Sequence, residues 1–328
     1  MLIADAIAEG QRNPRQLAAY RVAVLVPCYN EEAAIAHVVT AFRAELPEAV
    51  VYVYDNNSSD RTCEVARTAG AVVRRETHQG KGFVVRRMFA DVDADIYILV
   101  DGDATYDAPS ARAMIARLLE DRLDMVVAAR VDRDEAAYRL GHRTGNRLLT
   151  GFVQQIFGHS FSDMLSGYRA FSRRFVKSFP VLSGGFEIET ELTIHALELE
   201  LPVAEVSTPY YARPTGSASK LNTWRDGLRI LFSIFQIYRA ERPLRFFSAI
   251  GVVLAALAVG LAIPIFITFV QEGTVPRFPT AILSTGLMLA ALLAFACGLV
   301  LDTVTRGRRE IKLLGYLRYG APGDPARE

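Results

Sequence analysis

The sequence predicts an α/β domain with a mostly parallel sheet, followed by a hairpin of two membrane-spanning helices. Over the first 220 residues or so, apolar runs of strand length alternate with segments of helical periodicity, as in a parallel sheet covered by helices. Phe246–Val270 and Phe278–Leu301 contain no charged residue, and each is long enough to cross a bilayer core. We expect a cytosolic domain over 1–222, a juxtamembrane helix over 223–245, the hairpin over 246–303 and a cytosolic basic tail over 304–328.

Apolar runs rich in β-branched residues predict the strands of the sheet. The last run carries Pro209 and follows Pro202. We expect it at an edge of the sheet, where a missing amide donor is tolerated. The runs are Val22–Val26, Val50–Tyr54, Val72–Val73, Ile96–Val100, Met125–Ala129 and Val203–Tyr211.

Helix signals lie between and after these runs. Asn30 is suited to cap a helix with two acidic residues in its first turn. Further helices are predicted at 61–68, after Gly80-Lys81-Gly82, and at 139–157, where the helix carries several arginines. Trp224–Leu244 mixes aromatic residues with arginines, which favours an amphipathic helix at the membrane interface. A helix that faces the core of the domain fits the same periodicity.

Charge and cysteine usage limit the partners and the compartment. The formal net charge is +1 and charges of both signs are interspersed, so we expect no nucleic-acid partner. The three cysteines lack metal-ligand spacing, and Cys297 lies inside an apolar span. We therefore expect no disulfide framework and a reducing compartment. Arginines flank the outer ends of the hairpin, whereas its link, 271–277, has one basic residue. The positive-inside bias therefore predicts an inner (cytoplasmic) membrane protein whose domain and both termini are cytosolic.

Asp101 and Asp103 follow a predicted buried strand. Ligands of open α/β sheets bind beyond the carboxyl ends of the strands, and Mg²⁺ or Mn²⁺ takes one or two carboxylates while substrate phosphates supply other ligands. We therefore interpret the pair as a metal–diphosphate site, with Thr105 or Asp107 as auxiliary ligands. A solvated turn is the alternative, because Asp and Gly are common in turns.

Other strand ends carry polar residues of weaker meaning. Asp55, with Asn56, Asn57 and Ser58 after it, could bind a nucleobase edge or form a turn that satisfies its own backbone. The glycines of Gly80-Lys81-Gly82 would let backbone approach a ligand, and its lysine would supply a charge. Arg130, at the next strand end, could hold a phosphate or form a surface ion pair.

The order of these motifs resembles the family 2 glycosyltransferases of the GT-A fold. Later segments narrow the resemblance to the polyprenyl-phosphate glycosyltransferases, the relatives of dolichyl-phosphate mannose and glucose synthases. It covers about residues 20–225 and is carried by Val26–Glu32, Asp55–Thr62, Gly80–Gly82, Asp101–Asp103, Asp163–Arg169, Phe186–Glu189 and Arg213–Lys220.

The resemblance implies roles for individual residues. Donor-binding residues would be Pro27, Tyr29, Glu31, Asp55, Asn57, Lys81, Asp101 and Gly102, with Asp101 and Asp103 as metal ligands. Ser166, Arg169, Arg213 and Lys220 would face the acceptor phosphate, and Asp103, Arg130, Arg213 and Lys220 would act in catalysis. Two positions depart from the pattern: Asn56 replaces an acid, which bears on base recognition, and Thr105 replaces a glutamine, which bears on the metal shell.

We therefore expect metal-dependent, inverting transfer of one sugar from a nucleotide sugar, with a UDP-sugar slightly favoured over GDP-mannose, to polyprenyl phosphate at the membrane. A processive polysaccharide synthase is one alternative, but Trp224, the only tryptophan, does not lie in a Gln-x-x-Arg-Trp motif. A non-catalytic membrane scaffold is another. A dinucleotide-binding oxidoreductase is disfavoured because no Gly-x-Gly-x-x-Gly follows the first strand. The membrane-anchored relatives make a homo-oligomer reasonable.

Overall fold

The computed structural model describes residues 17, 19–132, 151, 161–185, 187–214, 235–236 and 238–323. Nearly all of the predicted basic helix at 139–157, most of the juxtamembrane segment and Lys220 lie outside these residues. The chain divides into two compact units. One comprises residues up to Ile230 together with Ile311–Glu328, and the other comprises Leu231–Glu310.

Among the described residues, seven strands of the first unit form one sheet in the order β3-β2-β1-β4-β6-β5-β7. β6 is antiparallel to β4 and β5, and the other neighbouring pairs are parallel. The predicted α/β fold with a mostly parallel sheet is confirmed, and β7 lies at the predicted edge. The strands are β1 Val22–Cys28, β2 Val50–Asp55, β3 Val72–Arg75, β4 Ile96–Leu99, β5 Met125–Asp132, β6 Arg169–Ser172 and β7 Val203–Tyr210.

Helices connect the strands and cover the sheet. The first of them, α1, buries Ile35, Val38, Val39 and Phe42, which lie on one face at helical spacing. These side chains pack in a core with Val24, Val53 and other strand residues. Among the described residues, the helices of this unit are α1 Ile35–Glu45, α2 Thr62–Thr68, α3 Lys81–Asp91, α4 Ser110–Glu120, α5 Arg173–Ser178 and α6 Ile188–Glu198.

The prediction that Asn30 caps α1 was wrong. The helix begins at Ile35, and Asn30 has a positive φ of 53°. Its side-chain oxygen accepts a hydrogen bond from the backbone N–H of Ser59 at 2.8 Å, while its own N–H donates to Oγ of Ser58. Asn30 therefore ties the loop after β1 to the loop after β2, a long-range contact that competes with local capping.

Strand register brings several chain segments to one edge of the sheet. Cys28 at the end of β1 pairs with Asp55 at the end of β2, and β4 runs parallel to β1 with Leu99 beside Leu25. Because β6 is antiparallel, its first residue, Arg169, lies opposite Leu99. The loops after β1, β2 and β4 and the turn before β6 therefore meet at this edge.

The second unit contains two long apolar helices. α7 spans Pro243–Glu272 and α8 spans Phe278–Tyr316, and both are long and apolar enough to cross a membrane. Only 11% of the most apolar window of each is buried, which is unlike the core helix of a soluble protein. α8 continues as one helix beyond the predicted end of the hairpin at 303, and its residues from Ile311 onward belong to the first unit.

Candidate active site

The Asp101-Gly102-Asp103 turn follows β4 and lies against the end of β1. A Cβ added at Gly102 would lie 2.6 Å from Sγ of Cys28. Real Cβ atoms essentially never approach another heavy atom this closely. Glycine at this position therefore holds the two carboxylates of the turn at the shared edge of the sheet.

Asp101 lies between a lysine and a glycine. Its Oδ1 is 2.5 Å from Nζ of Lys81, and its Oδ2 faces Gly167, where an added Cβ would lie 2.4 Å away. The ammonium of Lys81 also contacts the carboxylate of Glu189 on α6. The side chains of Lys81 and Glu189 are only 10% and 8% exposed, so these charges pair inside the protein.

Asp103 is buried and is held by its own turn and by an arginine. Its Oδ1 accepts hydrogen bonds from the backbone N–H of Thr105 at 3.2 Å and from the Thr105 hydroxyl at 2.6 Å. Its Oδ2 lies 2.6 Å from Nη2 of Arg213. Burial and the neighbouring charge of Asp101 raise the pKa of Asp103 even though Arg213 opposes this shift. Thr105 thus orients the Asp103 carboxylate.

The chemistry of this pair fits a hard divalent cation shared with a phosphate. Mg²⁺ and Mn²⁺ prefer oxygen ligands and often take only one or two carboxylates from the protein. Within the described part of the chain, no group of three Asp, Glu, His or Cys side chains could hold a metal by itself. Substrate phosphates and water are further ligands that such a cation takes. A cavity that includes Asp101 but not Asp103 in its lining lies next to α1, and its other lining residues include His37, Phe42, Tyr106, Asp107 and Tyr211.

The predicted nucleotide-binding residues lie on the loops after β1 and β2. Tyr29 is 37% exposed, whereas Glu31 and Asp55 are buried, and Pro27 is half-buried. The Asp55 carboxylate accepts a hydrogen bond from the N–H of Ser58 at 3.2 Å. This turn fixes the direction of the Asp55 carboxylate.

Asn56 organises the loop that leads to Lys81. Its amide nitrogen donates to the backbone oxygens of Glu76 and His78 at 3.0 and 2.7 Å, and its oxygen accepts from the N–H of Gly80 at 2.7 Å. Asn57 donates to another carbonyl of the same loop at 2.8 Å. Because a carboxylate could not donate to carbonyl oxygens, an amide at position 56 serves this loop. The structure thus gives Asn56 a role other than the base recognition considered from the sequence.

The glycines around Lys81 pack against the chain itself. A Cβ added at Gly80 would lie 2.1 Å from the backbone oxygen of Gly184, and one added at Gly82 would lie 2.1 Å from that of Ser183. The interpretation that these glycines let backbone approach a ligand therefore does not fit. They allow the start of α3 to pack on the 183–184 backbone, which leads into α6.

Arg130 is oriented by an acid that follows much later in the chain. Its Nε and Nη2 contact the two carboxylate oxygens of Asp163 at 2.6 and 2.8 Å, and its guanidinium carbon lies 5.4 Å from the centre of the Tyr210 ring. Such a bidentate pair fixes the plane of the guanidinium. The Arg130 side chain is 14% exposed.

Two of the predicted acceptor residues lie inside the domain. Arg169 is fully buried, and its three guanidinium nitrogens donate to the backbone oxygens of Ser166 and Met164 and to Oγ1 of Thr193. Ser166 is fully buried as well. The prediction that these two residues face a lipid phosphate does not fit, because their polar groups are used within the protein. Lys220 lies outside the described residues.

Three residues that shape the site were not predicted as site residues: Asp163, Gly167 and Glu189. The first two belong to the segment 163–169 that carried the family resemblance, but nothing local indicates what they contact. For Glu189 a signal was present, since a carboxylate on an otherwise apolar segment needs a buried partner. The sequence did not show that this partner is Lys81.

A family model for glycosyl transferase family 2 matches residues 23–179. The chain is 34% identical over 291 residues to the glycosyltransferase AglJ of Haloferax volcanii, an alignment that covers 88% of this chain and 95% of that protein. This likeness over nearly the whole relative shows that the chain belongs to glycosyl transferase family 2. It is therefore a glycosyltransferase.

Two further comparisons bear on its function and fold. The chain is 27% identical over 221 residues to a dolichyl-phosphate hexose transferase of Haloferax volcanii, covering 67% of this chain and 95% of that one. A crystal structure of glucosyl-3-phosphoglycerate synthase from Mycobacterium tuberculosis, solved with Mn²⁺, UDP and glucosyl-3-phosphoglycerate, has a TM-score of 0.53 at 22% identity and covers 71% and 84% of the two chains. At this identity the structural likeness concerns the fold.

Proposed function

We propose that the protein transfers a single sugar from a nucleotide sugar, with a UDP-sugar favoured, to polyprenyl phosphate at the cytoplasmic face of the membrane. The observation that carries this proposal is the Asp101–Asp103 pair at the edge of a family 2 sheet, with Lys81 and Arg213 in contact with it. A structural neighbour of the same fold binds Mn²⁺ and UDP, and one relative is a dolichyl-phosphate hexose transferase.

The proposed step is a direct displacement that inverts the sugar configuration. An anionic oxygen of the lipid phosphate attacks the anomeric carbon, the bond from that carbon to the donor diphosphate breaks, and the electron pair leaves with the nucleoside diphosphate. The phosphate nucleophile is already ionised near neutral pH, so no general base is required. Catalysis then depends on position and on charge stabilisation of the leaving group.

The chain's own residues supply this stabilisation around the carboxylate pair. Asp101 and Asp103 would hold Mg²⁺ or Mn²⁺, which acts as a Lewis acid on the leaving diphosphate when bound. Lys81 and Arg213 lie within 2.5 and 2.6 Å of these carboxylates. Lys81 would place positive charge beside the diphosphate, and Arg213 would face the acceptor phosphate. Arg130, whose plane is fixed by its acidic partner, would bind the acceptor phosphate.

The two apolar helices fit a lipid substrate. Polyprenyl phosphate keeps its chain in the bilayer, so an enzyme that uses it must work where the phosphate reaches water. α7 and α8 are long and apolar enough to anchor the protein there, and the arginines outside the hairpin favour a cytosolic catalytic domain. A reporter enzyme that works only in the cytoplasm should therefore be active when it is fused to the C-terminus. A reporter that works only outside the cytoplasmic membrane should be inactive at the same position.

A donor panel tests the proposed reaction. Purified, detergent-solubilised protein is offered radiolabelled UDP- and GDP-sugars with polyprenyl phosphate, with and without Mn²⁺ or Mg²⁺. We expect label in the organic phase with one donor and only when a metal is present. Absence of transfer with every donor, despite nucleotide binding, would refute the acceptor, and absence of nucleotide binding would favour a scaffold.

An isosteric pair of variants checks the metal residues in the same assay. Asp103→Asn should lower kcat by about 100-fold, because a residue that stabilises charge in the transition state is lost. Asp121→Asn is the matched control, since Asp121 makes a partly exposed pair with Arg117 on α4. Equal activity of Asp103→Asn and wild type would contradict the assignment.

A further inference from the structure

We infer that Glu189 is a positioning residue of the metal site and acts through Lys81. The inference rests on the proposed function, since it concerns how Asp101 is presented to a divalent cation. Within the described part of the chain, Glu189 makes no direct contact with the Asp-x-Asp turn. It shares the ammonium of Lys81 with Asp101. It is thus one step removed from the reacting groups.

The geometry makes Lys81 a shared cation. Its Nζ lies 2.5 Å from Oδ1 of Asp101 and also contacts Oε1 of Glu189. All three side chains are largely shielded from solvent, with exposures of 10%, 29% and 8% for Lys81, Asp101 and Glu189. Two carboxylates and one ammonium leave the trio with a net negative charge, and this charge favours a divalent cation at Asp101.

Removal of the Glu189 charge would change that balance. Lys81 would then have one carboxylate instead of two, and the Lys81–Asp101 pair would be neutral. Asp101 would be bound more tightly by the ammonium and would be less available as a metal ligand. Both effects weaken cation binding, so the direction of the expected change does not depend on which effect is larger.

The backbone around the trio shows that its members are held in place. The start of α3 packs so closely on the 183–184 segment that side chains at Gly80 or Gly82 would collide with its carbonyl oxygens. α6 begins at Ile188, a few residues later, and its positive end favours an acidic residue in the first turn. The buried guanidinium of Arg169 donates to Oγ1 of Thr193, which itself donates to the backbone oxygen of Glu189.

α6 provides a matched control for the experiment. Glu198, at the other end of the helix, forms a second buried ion pair, with Oε2 2.5 Å from Nζ of Lys312 and exposures of 4% and 15%. Both pairs join a buried glutamate of α6 to a lysine from elsewhere in the chain. Only the Glu189 pair reaches the Asp-x-Asp turn, so Glu189→Gln and Glu198→Gln differ in that connection.

The test measures Mn²⁺ binding to the full-length, detergent-solubilised protein by electron paramagnetic resonance, without a sugar donor, both alone and with UDP. Glu189→Gln should raise the Mn²⁺ dissociation constant by about 10- to 100-fold, as is typical when a partner of a metal ligand is lost. Glu198→Gln should leave this constant within about twofold of wild type. This holds even if Glu198→Gln lowers the unfolding temperature as much as Glu189→Gln does.

A second background separates an indirect role from a direct one. In Lys81→Met protein, Glu189→Gln should raise the Mn²⁺ dissociation constant by less than it does in the wild-type background, because the connection to Asp101 is already broken and only the loss of nearby charge remains. An equal rise in both backgrounds would show that Lys81 does not carry the effect and would overturn the positioning role. An unchanged constant in the single variant, or a wild type that binds no Mn²⁺, would overturn it as well.

Sugar transfer is a separate readout. If wild type transfers no sugar but Mn²⁺ binding follows the expected pattern, the proposed reaction fails and the role of Glu189 stands. If transfer is intact and Glu189→Gln binds Mn²⁺ as wild type does, the reaction stands and the role of Glu189 fails.

Discussion

Replacing Gly167 by alanine should displace Asp101 and little else. An added Cβ at this position would lie 2.4 Å from Oδ2, 2.9 Å from Cγ and 3.1 Å from Oδ1 of the Asp101 carboxylate. All three atoms belong to the end of one side chain that is 29% exposed. The collision can therefore be relieved by rotation of Asp101 without movement of the sheet.

The required displacement can be estimated from these distances. Ordinary van der Waals contact begins at 3.4 Å, so Oδ2 of Asp101 must move by about 1 Å. A misplacement of about 1 Å in a reacting arrangement can cost about 100-fold in rate. We expect kcat/KM of Gly167→Ala to fall by about 100-fold, which corresponds to about 2.7 kcal/mol of transition-state stabilisation.

The assay combines transfer kinetics with thermal unfolding of the detergent-solubilised protein. Gly167→Ala should unfold within about 4 °C of wild type, because the strain falls on a side chain that can turn. Gly320→Ala is the control, since a Cβ there meets nothing within 4 Å, and it should match wild type in both measurements. Unchanged activity of Gly167→Ala would refute a catalytic role for the Asp101 position, and a large loss of stability would show that the backbone carries the strain.

Three further predictions follow from the structure of the first unit. Arg213→Ala should raise KM for polyprenyl phosphate by about tenfold or more and KM for the donor less, as expected when a charged contact is lost; an equal rise in both would place Arg213 with the donor. Burial and then the charge of Lys312 lower the pKa of His195 to about 3 from 6.5, so the unfolded state takes up the proton first as the pH falls. The free energy of unfolding should therefore drop by about 2 kcal/mol as the pH falls from 7.5 to 5. The unfolding temperature of His195→Gln should depend less on pH over this range than that of wild type, and an equal dependence would contradict the role of this histidine. Tyr316→Phe removes a donor 2.9 Å from the buried carboxylate of Asp124 and should cost about 1–2 kcal/mol of unfolding free energy without loss of kcat; an unchanged unfolding temperature would contradict this contact.

The strands that the sequence predicted are those whose signal is local. β1 and β4 are runs of apolar residues buried along almost their whole length, and such runs are legible without knowing their neighbours. β6 has only four residues, begins with an arginine and follows a polar turn. It is a strand because β4 and β5 leave a gap between them that an antiparallel segment fills, and no local pattern reports that gap.

The same non-local cause explains the error at Arg169. The family resemblance implied that the arginine after Ser-Gly-Tyr faces a phosphate. Its place at the start of a central strand buries it, and acceptors are then required for its guanidinium. They come from the adjacent turn and from α6. The direction of the Arg169 side chain depends on a strand that the sequence did not predict.

Glycines explain why several weak motifs together specify this site. Gly82 allows α3 to pack on the backbone oxygen of Ser183, Gly102 allows the Asp-x-Asp turn to pack on Cys28, and Gly167 makes room for the Asp101 carboxylate. The approaches of Gly102 and Gly167 each join two motifs that are distant in sequence, and that of Gly82 joins Gly-Lys-Gly to the segment just before Phe186–Glu189. A side chain at any one of these glycines would therefore move a distant segment. A Gly-Lys-Gly or an Asp-Gly-Asp alone is common because turns favour these residues. Their joint occurrence is informative because each glycine is required by a contact with a distant segment of the chain.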